Sequence, residues 1–184
     1  MLFADIRGST AIAEHMEPAA YAALLNRFYR VATEVLVRHD AIVDKLIGDE
    51  VMALFIPGIC GVNYKRLAAE AAVALLDAVG YRAGAKVWMP MGAAVNSGLS
   101  YVGNVGGEGT VDFTALGDTV NAASRLASVA AAGEVLLSQG VFATVADEFA
   151  SQESRTMQLR GREVPFSVRV LRRPGAIATS SQNH

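Results

Sequence analysis

Ala41-Ile42-Val43-Asp44-Lys45-Leu46-Ile47-Gly48-Asp49-Glu50-Val51-Met52-Ala53-Leu54-Phe55-Ile56 consists of two aliphatic runs interrupted by a short polar turn. Runs of this kind on either side of Gly48-Asp49-Glu50 read as a β-hairpin, with strands at Ala41 to Ile47 and Val51 to Ile56. The hairpin places an acidic residue, Asp49, at its tip. Gly-Asp is common in turns for conformational reasons alone, so Asp49 by itself carries little information.

Upstream, Met1 to Ile6 is an apolar strand, and Gly8-Ser9-Thr10 supplies a turn and a capping residue before a helical stretch from Ala11 to Met16. From Pro18 to about Arg38, Tyr21, Leu24, Leu25, Phe28, Ala32, Val35 and Leu36 recur at three- and four-residue spacing, which is the stripe of a long amphipathic helix. Downstream, residues 65 to 79 repeat that pattern through Leu67, Ala71, Leu75 and Val79, and Gly80 closes the helix. Met91 to Asn96 and Ser100 to Val105 read as strands, with glycines breaking the region into a hairpin with bends. Val111 to Leu116 is a further strand, and Asp118 is placed to N-cap a helix from about Thr119 to Ala131 that Gly133 ends. A strand at Glu134 to Ser138, a helix near Val141 to Phe149 and a terminal strand pair at Thr156 to Leu159 and Pro165 to Leu171 follow. Helices mixed with antiparallel strands imply an α+β sandwich with helices packed against one sheet. The small, polar tail at 175–184 is expected to be disordered, leaving residues 1–174 as one domain.

Composition narrows the function. The chain has 184 residues and is 52% apolar, enough for one domain with a real core. Its formal net charge is only -2 and its basic residues are scattered, so neither nucleic acid nor an anionic membrane surface is the expected partner. The single cysteine, Cys60, excludes an intramolecular disulfide and a multi-cysteine metal site, and suits a reducing, cytoplasmic compartment. No secretory signal is visible, and the uncharged stretch from Val87 to Gly107 contains Pro90 and five glycines, which rules it out as a membrane span. Met1 leads straight into a strand, which fits a piece of a longer protein and a short natural start equally. His15, His39 and His184 lack the spacing of a metal cluster.

Taken singly, the polar residues have plain structural readings. Asp5 caps a loop, Lys45 snorkels from a strand, Asn121 is a satisfied polar group and Arg125 a solvated helix charge. Taken together they are more informative. If the first strand lies beside the hairpin, Asp5 and Asp49 converge on one edge as hard oxygen ligands for Mg²⁺ or Mn²⁺, a pair suited to two-metal phosphoryl transfer. The Gly8-Ser9-Thr10 loop and the helix start after it are placed to hold phosphate. Asn121 and Arg125, four apart, share a helix face, and Thr114 precedes them on a strand. Alternation puts Lys45 on the face of Val43 and Ile47, a position that asks for an explanation. Lys45 also lies four strand residues from Asp49, roughly 13 Å at the usual rise, which hints that two chains share each site.

Three segments now fall into a pattern: Phe3-Ala4-Asp5-Ile6-Arg7-Gly8-Ser9-Thr10, Lys45-Leu46-Ile47-Gly48-Asp49, and Gly117-Asp118-Thr119-Val120-Asn121-Ala122-Ala123-Ser124-Arg125-Leu126. In this order they resemble the signature segments of class III nucleotidyl cyclases. The similarity continues through Gly98 to Gly106, Gly133 to Ser138 and Leu159-Arg160-Gly161, so it covers nearly the whole chain. It implies a ferredoxin-like, palm-type sheet, antiparallel-rich, with helices packed on it. It further implies that Asp5 and Asp49 bind two divalent ions with the Ile6 carbonyl, that Gly8, Ser9 and Thr10 lie near the phosphates, and that Lys45 and Thr114 read adenine. Asn121 would orient the ribose, and Arg125 would stabilise charge on the α-phosphoryl group as the 3′-hydroxyl displaces pyrophosphate.

The activity so implied is adenylate cyclase, ATP to cyclic AMP and pyrophosphate, at a head-to-tail homodimer whose two sites each take the aspartates from one chain and the other four residues from its partner. Adenine N1 accepts from a lysine, whereas guanine N1 carries a hydrogen that would face it, so Lys45 selects against GTP. Guanylate cyclase, and a silent cyclase-fold module that binds nucleotide, are the alternatives; silent relatives usually lose an aspartate or the Asn and Arg pair, and this chain keeps them all. The chain departs from the family pattern at Gly106 to Thr110, where many relatives carry a basic residue for the triphosphate; Arg160 or Arg162 is the substitute candidate. The short first strand is a second departure, expected to leave the edge of the sheet less complete than usual.

Overall fold

The structure, a computed structural model, describes residues 1–107, 109–149, 153–159 and 164–173. Arg160, Arg162 and the tail at 175–184 lie outside the described residues. In chain order the first half comprises β1 (Leu2–Ile6), α1 (Ser9–Glu14), α2 (Pro18–Arg38), β2 (Ile42–Ile47), β3 (Glu50–Leu54), α3 (Pro57–Cys60), a single 3₁₀ turn at Gly61–Asn63, and α4 (Tyr64–Ala78). The second half comprises β4 (Met91–Val95), β5 (Tyr101–Gly107), β6 (Thr110–Leu116), α5 (Asp118–Val129), β7 (Glu134–Ser138), α6 (Gln139–Phe142), β8 (Glu153–Met157) and β9 (Phe166–Arg172).

Seven strands form one sheet in the order β2-β3-β1-β4-β7-β9-β8, antiparallel throughout except for β4 against β7. The α+β reading therefore holds. One corollary does not: β1 lies between β3 and β4 in the interior of the sheet, so its shortness leaves no edge incomplete. An almost wholly buried run, Leu2 to Ala4 with Ile6, is what an interior strand requires.

Two apolar layers flank the sheet. On one face Phe28, Ala32 and Leu36 of α2 and Ala72, Leu75 and Leu76 of α4 pack against Leu2, Ala4, Val51 and Ala53. On the other, Val120, Ala123, Leu126 and Ala127 of α5 pack against Phe3, Met52, Ala94 and Leu136. Adjacent strand residues go to opposite layers, as the period of two demands. Full burial of each large aliphatic side chain contributes about 1.5–3 kcal/mol, so the periodic stripes read from sequence account for where the helices sit.

The glycine-rich region differs from the expected hairpin of Met91 to Asn96 with Ser100 to Val105. β4 is taken up by β1 and β7, and β5 instead pairs antiparallel with β6, Tyr101 opposite Leu116 through to Gly107 opposite Thr110, as a separate two-stranded arm. The all-buried composition of β4 suits it to two strand partners and two covered faces, which a hairpin would not give it. The helix expected near Val141 to Phe149 is confined to α6 and followed by turns. At α5 the N-cap is Gly117 and Asp118 is the first helical residue, where its charge favours the positive end of the helix.

Candidate active site

The hairpin turn is built to hold Asp49 at the sheet rim. Gly48 has a φ of 59°, the left-handed region that a side chain disfavours, and its carbonyl accepts a hydrogen bond from the Tyr29 hydroxyl of α2. The Ile6 amide at the end of β1 donates to the Asp49 carbonyl at 3.0 Å, so the turn and the end of β1 are stitched together. One residue back, Asp5 lies in register with Glu50 of β3 on one side and Gly92 of β4 on the other. Asp5, Ile6 and Asp49 thus meet at one rim.

Both carboxylates already have partners. The Ser9 hydroxyl donates to Asp49, and Arg7 forms an ion pair with Asp5 while its other guanidinium nitrogen donates to the Ser128 carbonyl at 2.6 Å. Ser9 and Thr10 lie in the first turn of α1, with Gly8 preceding them at a left-handed φ of 71°; they are helical residues, where a loop with a side-chain cap was expected. Burial raises the Asp5 pKa, Arg7 partly offsets that, and Asp49 adds to it. Glu50 is pushed up to about 7, first by burial and then by Asp5 and Asp49, against a 3.5 Å hydrogen bond from Ser124 and the charge of Arg7. Such crowding of acids is relieved by a cation, and the oxygen donors suit a hard divalent ion. Among the described residues no set of three or more His, Cys, Asp or Glu is arranged as a metal cage, so the fit rests on Asp5 and Asp49 with the backbone at Ile6.

A second constellation joins the edge strand β2 to the arm. Lys45 forms an ion pair with Asp112, and the Thr114 hydroxyl, 6% exposed, donates to Asp44 Oδ2 at 2.7 Å. The cause is a β-bulge: Val43 pairs with Ala53 but Lys45 pairs with Met52, so one extra residue is inserted between them. Val43 therefore faces the α2–α4 layer and Lys45 the α5 layer beside Met52. The expected alternation, which put Val43 and Lys45 on one face, fails at the bulge.

The third group is on α5. Val120, Ala122, Ala123, Leu126 and Ala127 bury its inner face, leaving Asn121 exposed and Arg125 half-buried along one outer stripe. No acidic side chain pairs with Arg125 among the described residues. Within one chain no hydrogen bond or ion pair links Asp5 or Asp49 to Lys45, Thr114, Asn121 or Arg125 among those residues. Sequence reasoning missed Arg7, Asp44, Glu50, Asp112 and Ser124. Their proximity in sequence to Asp5, Lys45, Asp49, Thr114 and Arg125 was the available signal, but the bulge and the arm that create their contacts were not visible. A cavity of about 180 Å³ lined by Val73, Leu76, Phe149, Leu171 and Arg173 opens on the α4 side of the sheet and contains none of the site residues.

A nucleotidyl cyclase catalytic fold is what this sheet, arm and carboxylate rim define, and the chain belongs to the adenylate and guanylate cyclase catalytic domain family, whose pattern it matches over residues 1–171. It is similar to the adenylate cyclase of Anabaena cylindrica, 34% identical over 131 residues, which are 68% of this chain and 26% of that one. It superposes on the adenylyl cyclase CyaB from P. aeruginosa with a TM-score of 0.79 at 27% identity, covering 92% of this chain and 91% of that one. The guanylyl cyclase Cya2 shares the fold, with a TM-score of 0.73 at 23% identity over 97% and 93% of the two chains. The chain spans about a quarter to a third of the length of the curated relatives it matches. No described helix is long and apolar enough to cross a membrane.

Proposed function

We propose that residues 1–174 are the catalytic domain of an adenylate cyclase, cytoplasmic, acting as a homodimer with two shared sites. The observation that carries this reading is the convergence of Asp5, Ile6 and Asp49 at one rim while Lys45, Thr114, Asn121 and Arg125 make no hydrogen bond or ion pair with either aspartate in the same chain among the described residues. A head-to-tail partner brings the second set to the first. Support for a partner comes from the arm, where Tyr101, Val111, Phe113 and Leu116 are all exposed, an apolar surface of the kind that marks an interface.

Asp5 and Asp49 would hold two divalent ions, Mg²⁺ or Mn²⁺, with the Ile6 carbonyl. When bound, these ions lower the pKa of the attacking ribose hydroxyl and neutralise the phosphates. Ser9, which now holds the Asp49 carboxylate, and Gly8 and Thr10 beside it line the approach for the triphosphate, and Arg160 is proposed for its far end. From the partner, Lys45 donates to adenine N1, Thr114 accepts from the adenine amino group, Asn121 orients the ribose and Arg125 meets the charge that develops on the α-phosphoryl oxygens. Arg125, with no acidic side chain paired to it among the described residues, suits an anion supplied by the ligand.

The test is cyclic nucleotide formation by the purified chain with Mn²⁺ or Mg²⁺, given ATP and GTP in parallel over a range of protein concentrations. Product from ATP alone, with specific activity rising as the dimer forms, supports the reading. Product from GTP replaces it with guanylate cyclase, and a folded dimer that makes neither is a silent nucleotide-binding module.

A further inference from the structure

We infer that Asp44 is a specificity-determining positioning residue, which fixes the Thr114 hydroxyl as a pure acceptor and so makes the base pocket select a 6-amino over a 6-oxo purine. The inference rests on the adenylate cyclase reading, in which Thr114 faces position 6 of the base.

A threonine hydroxyl has one hydrogen to give and lone pairs to receive with, and its rotor turns to suit its neighbour. Left free, it would donate to a guanine carbonyl as readily as it accepts from an adenine amino group, and would discriminate little. In this chain the hydrogen is already committed, since Thr114 Oγ1 lies 2.7 Å from Asp44 Oδ2 and a carboxylate can only accept. Thr114 is 6% exposed, so no bulk water competes for that hydrogen. What remains to a ligand is the lone pairs of Oγ1, which accept from an amino group and repel a carbonyl oxygen.

The bulge in β2 is what makes this possible. Successive residues of a regular strand face opposite ways, yet Asp44 and Lys45 both reach β6, one to Thr114 and the other to Asp112, because the extra residue between Val43 and Lys45 turns them to the same side. Asp44 has no second duty: its other oxygen, Oδ1, is buried without a hydrogen-bond partner among the described residues. A buried carboxylate oxygen left unpaired costs stability, and its retention here fits a residue kept for the bond that its partner oxygen makes. Lys45 and Thr114 then read the two adjacent edge positions of the base with opposite polarity, donor against N1 and acceptor against the 6-amino group.

Asp44→Ala removes the only acceptor the Thr114 hydroxyl has among the described residues, freeing its hydrogen for a carbonyl. The experiment measures kcat/KM for ATP and for GTP in the wild-type dimer, in Asp44→Ala, in Thr114→Val and in the double variant. Asp44→Ala should lower the ATP-to-GTP ratio about tenfold or more, the scale of one polar contact made or mismatched. In the Thr114→Val background the same change should leave the ratio unmoved, because the residue through which Asp44 acts is gone. A folded Asp44→Ala dimer with the wild-type ratio overturns the inference, as does an equal effect in both backgrounds. Should Asp44→Ala fail to fold, the wild-type enzyme decides: N6-methyl-ATP should inhibit cyclic AMP formation more strongly than the equally bulky 6-methoxypurine riboside triphosphate, and equal inhibition, including none by either, overturns it. A wild type that cyclises no ATP, or cyclises GTP equally well, removes the adenylate cyclase reading itself and is distinct from either result.

Discussion

Gly92 lies directly across the β1–β4 ladder from Asp5, and its missing side chain is what lets α5 close over the strand beside that carboxylate. A Cβ at Gly92 would sit 2.7 Å from the Ala130 carbonyl, just past the end of α5, and 2.9 Å from the Ala130 Cβ. These are backbone and short side-chain atoms that cannot swing aside. Through α5 the same contact sets where Asn121 and Arg125 stand relative to the sheet.

Gly92→Ala should therefore cost about 1–3 kcal/mol of stability, the usual range for overpacking a well-filled core. It should also lower activity, because the helix must move. Urea unfolding reads the first and cyclic AMP formation the second; a variant as stable and active as wild type would show that α5 is not held by this contact.

Asp5→Ala and Arg125→Ala should each abolish product formation, with Arg125→Ala losing about 10³- to 10⁵-fold in kcat, by comparison with arginines in other phosphoryl transfers. Mixed together, the two inactive proteins should regain activity. A dimer containing one of each has one site with both defects and one with neither, so statistical exchange restores about a quarter of the wild-type rate. Mixtures that stay inactive despite exchange of subunits would place the aspartates and Arg125 in the same chain's site.

Chelation with EDTA should remove activity, and Mn²⁺ or Mg²⁺ should restore it. Asp49→Asn should prevent that restoration while leaving the fold intact, since the Ser9 hydroxyl that Asp49 now accepts from can donate equally to an amide oxygen. Circular dichroism alongside the assay separates loss of metal from loss of structure.

Glu134 gives a pH prediction at the other end of the sheet. It is 4% exposed and accepts from Arg155, Arg172 and the Ala131 amide. Burial alone would raise its pKa, but Arg155, the Ala131 amide and Arg172 together outweigh burial and hold it below the usual glutamate value. A depressed pKa contributes stability that is present above the unfolded value, about 4.3, and is lost as pH falls through the lower folded one. Glu134→Gln should thus be destabilised by about 2 kcal/mol at pH 7, the range for a buried ionic network discounted for its half-exposed arginines, with the gap to wild type narrowing below about pH 4.3. Urea titrations at several pH values check both.

The elements of this fold were legible because their signals are local. The stripe of Phe28, Ala32 and Leu36, the turn at Gly48-Asp49 and the aliphatic run at Leu2 to Ile6 depend on neighbours within a few residues, and each appears where expected. Residue identity likewise marked Asp5, Asp49, Lys45, Thr114, Asn121 and Arg125, since their chemical types and order form a recognisable set.

Pairing was decided only in three dimensions. Nothing local told that β4 would be claimed by β1 and β7 and leave β5 to β6, because strand partners are chosen by burial on both faces of a sheet. Nothing local announced the bulge at Asp44 either, and one inserted residue reverses which face every later side chain meets. The sequence by itself thus determined which groups are available for chemistry, because that is a property of side chains. Tertiary structure decided which of them touch: Ser9 on Asp49, Arg7 on Asp5, Asp44 on Thr114. Such contacts join residues as many as 70 positions apart, and only the packed sheet and its arm bring those positions within a hydrogen bond.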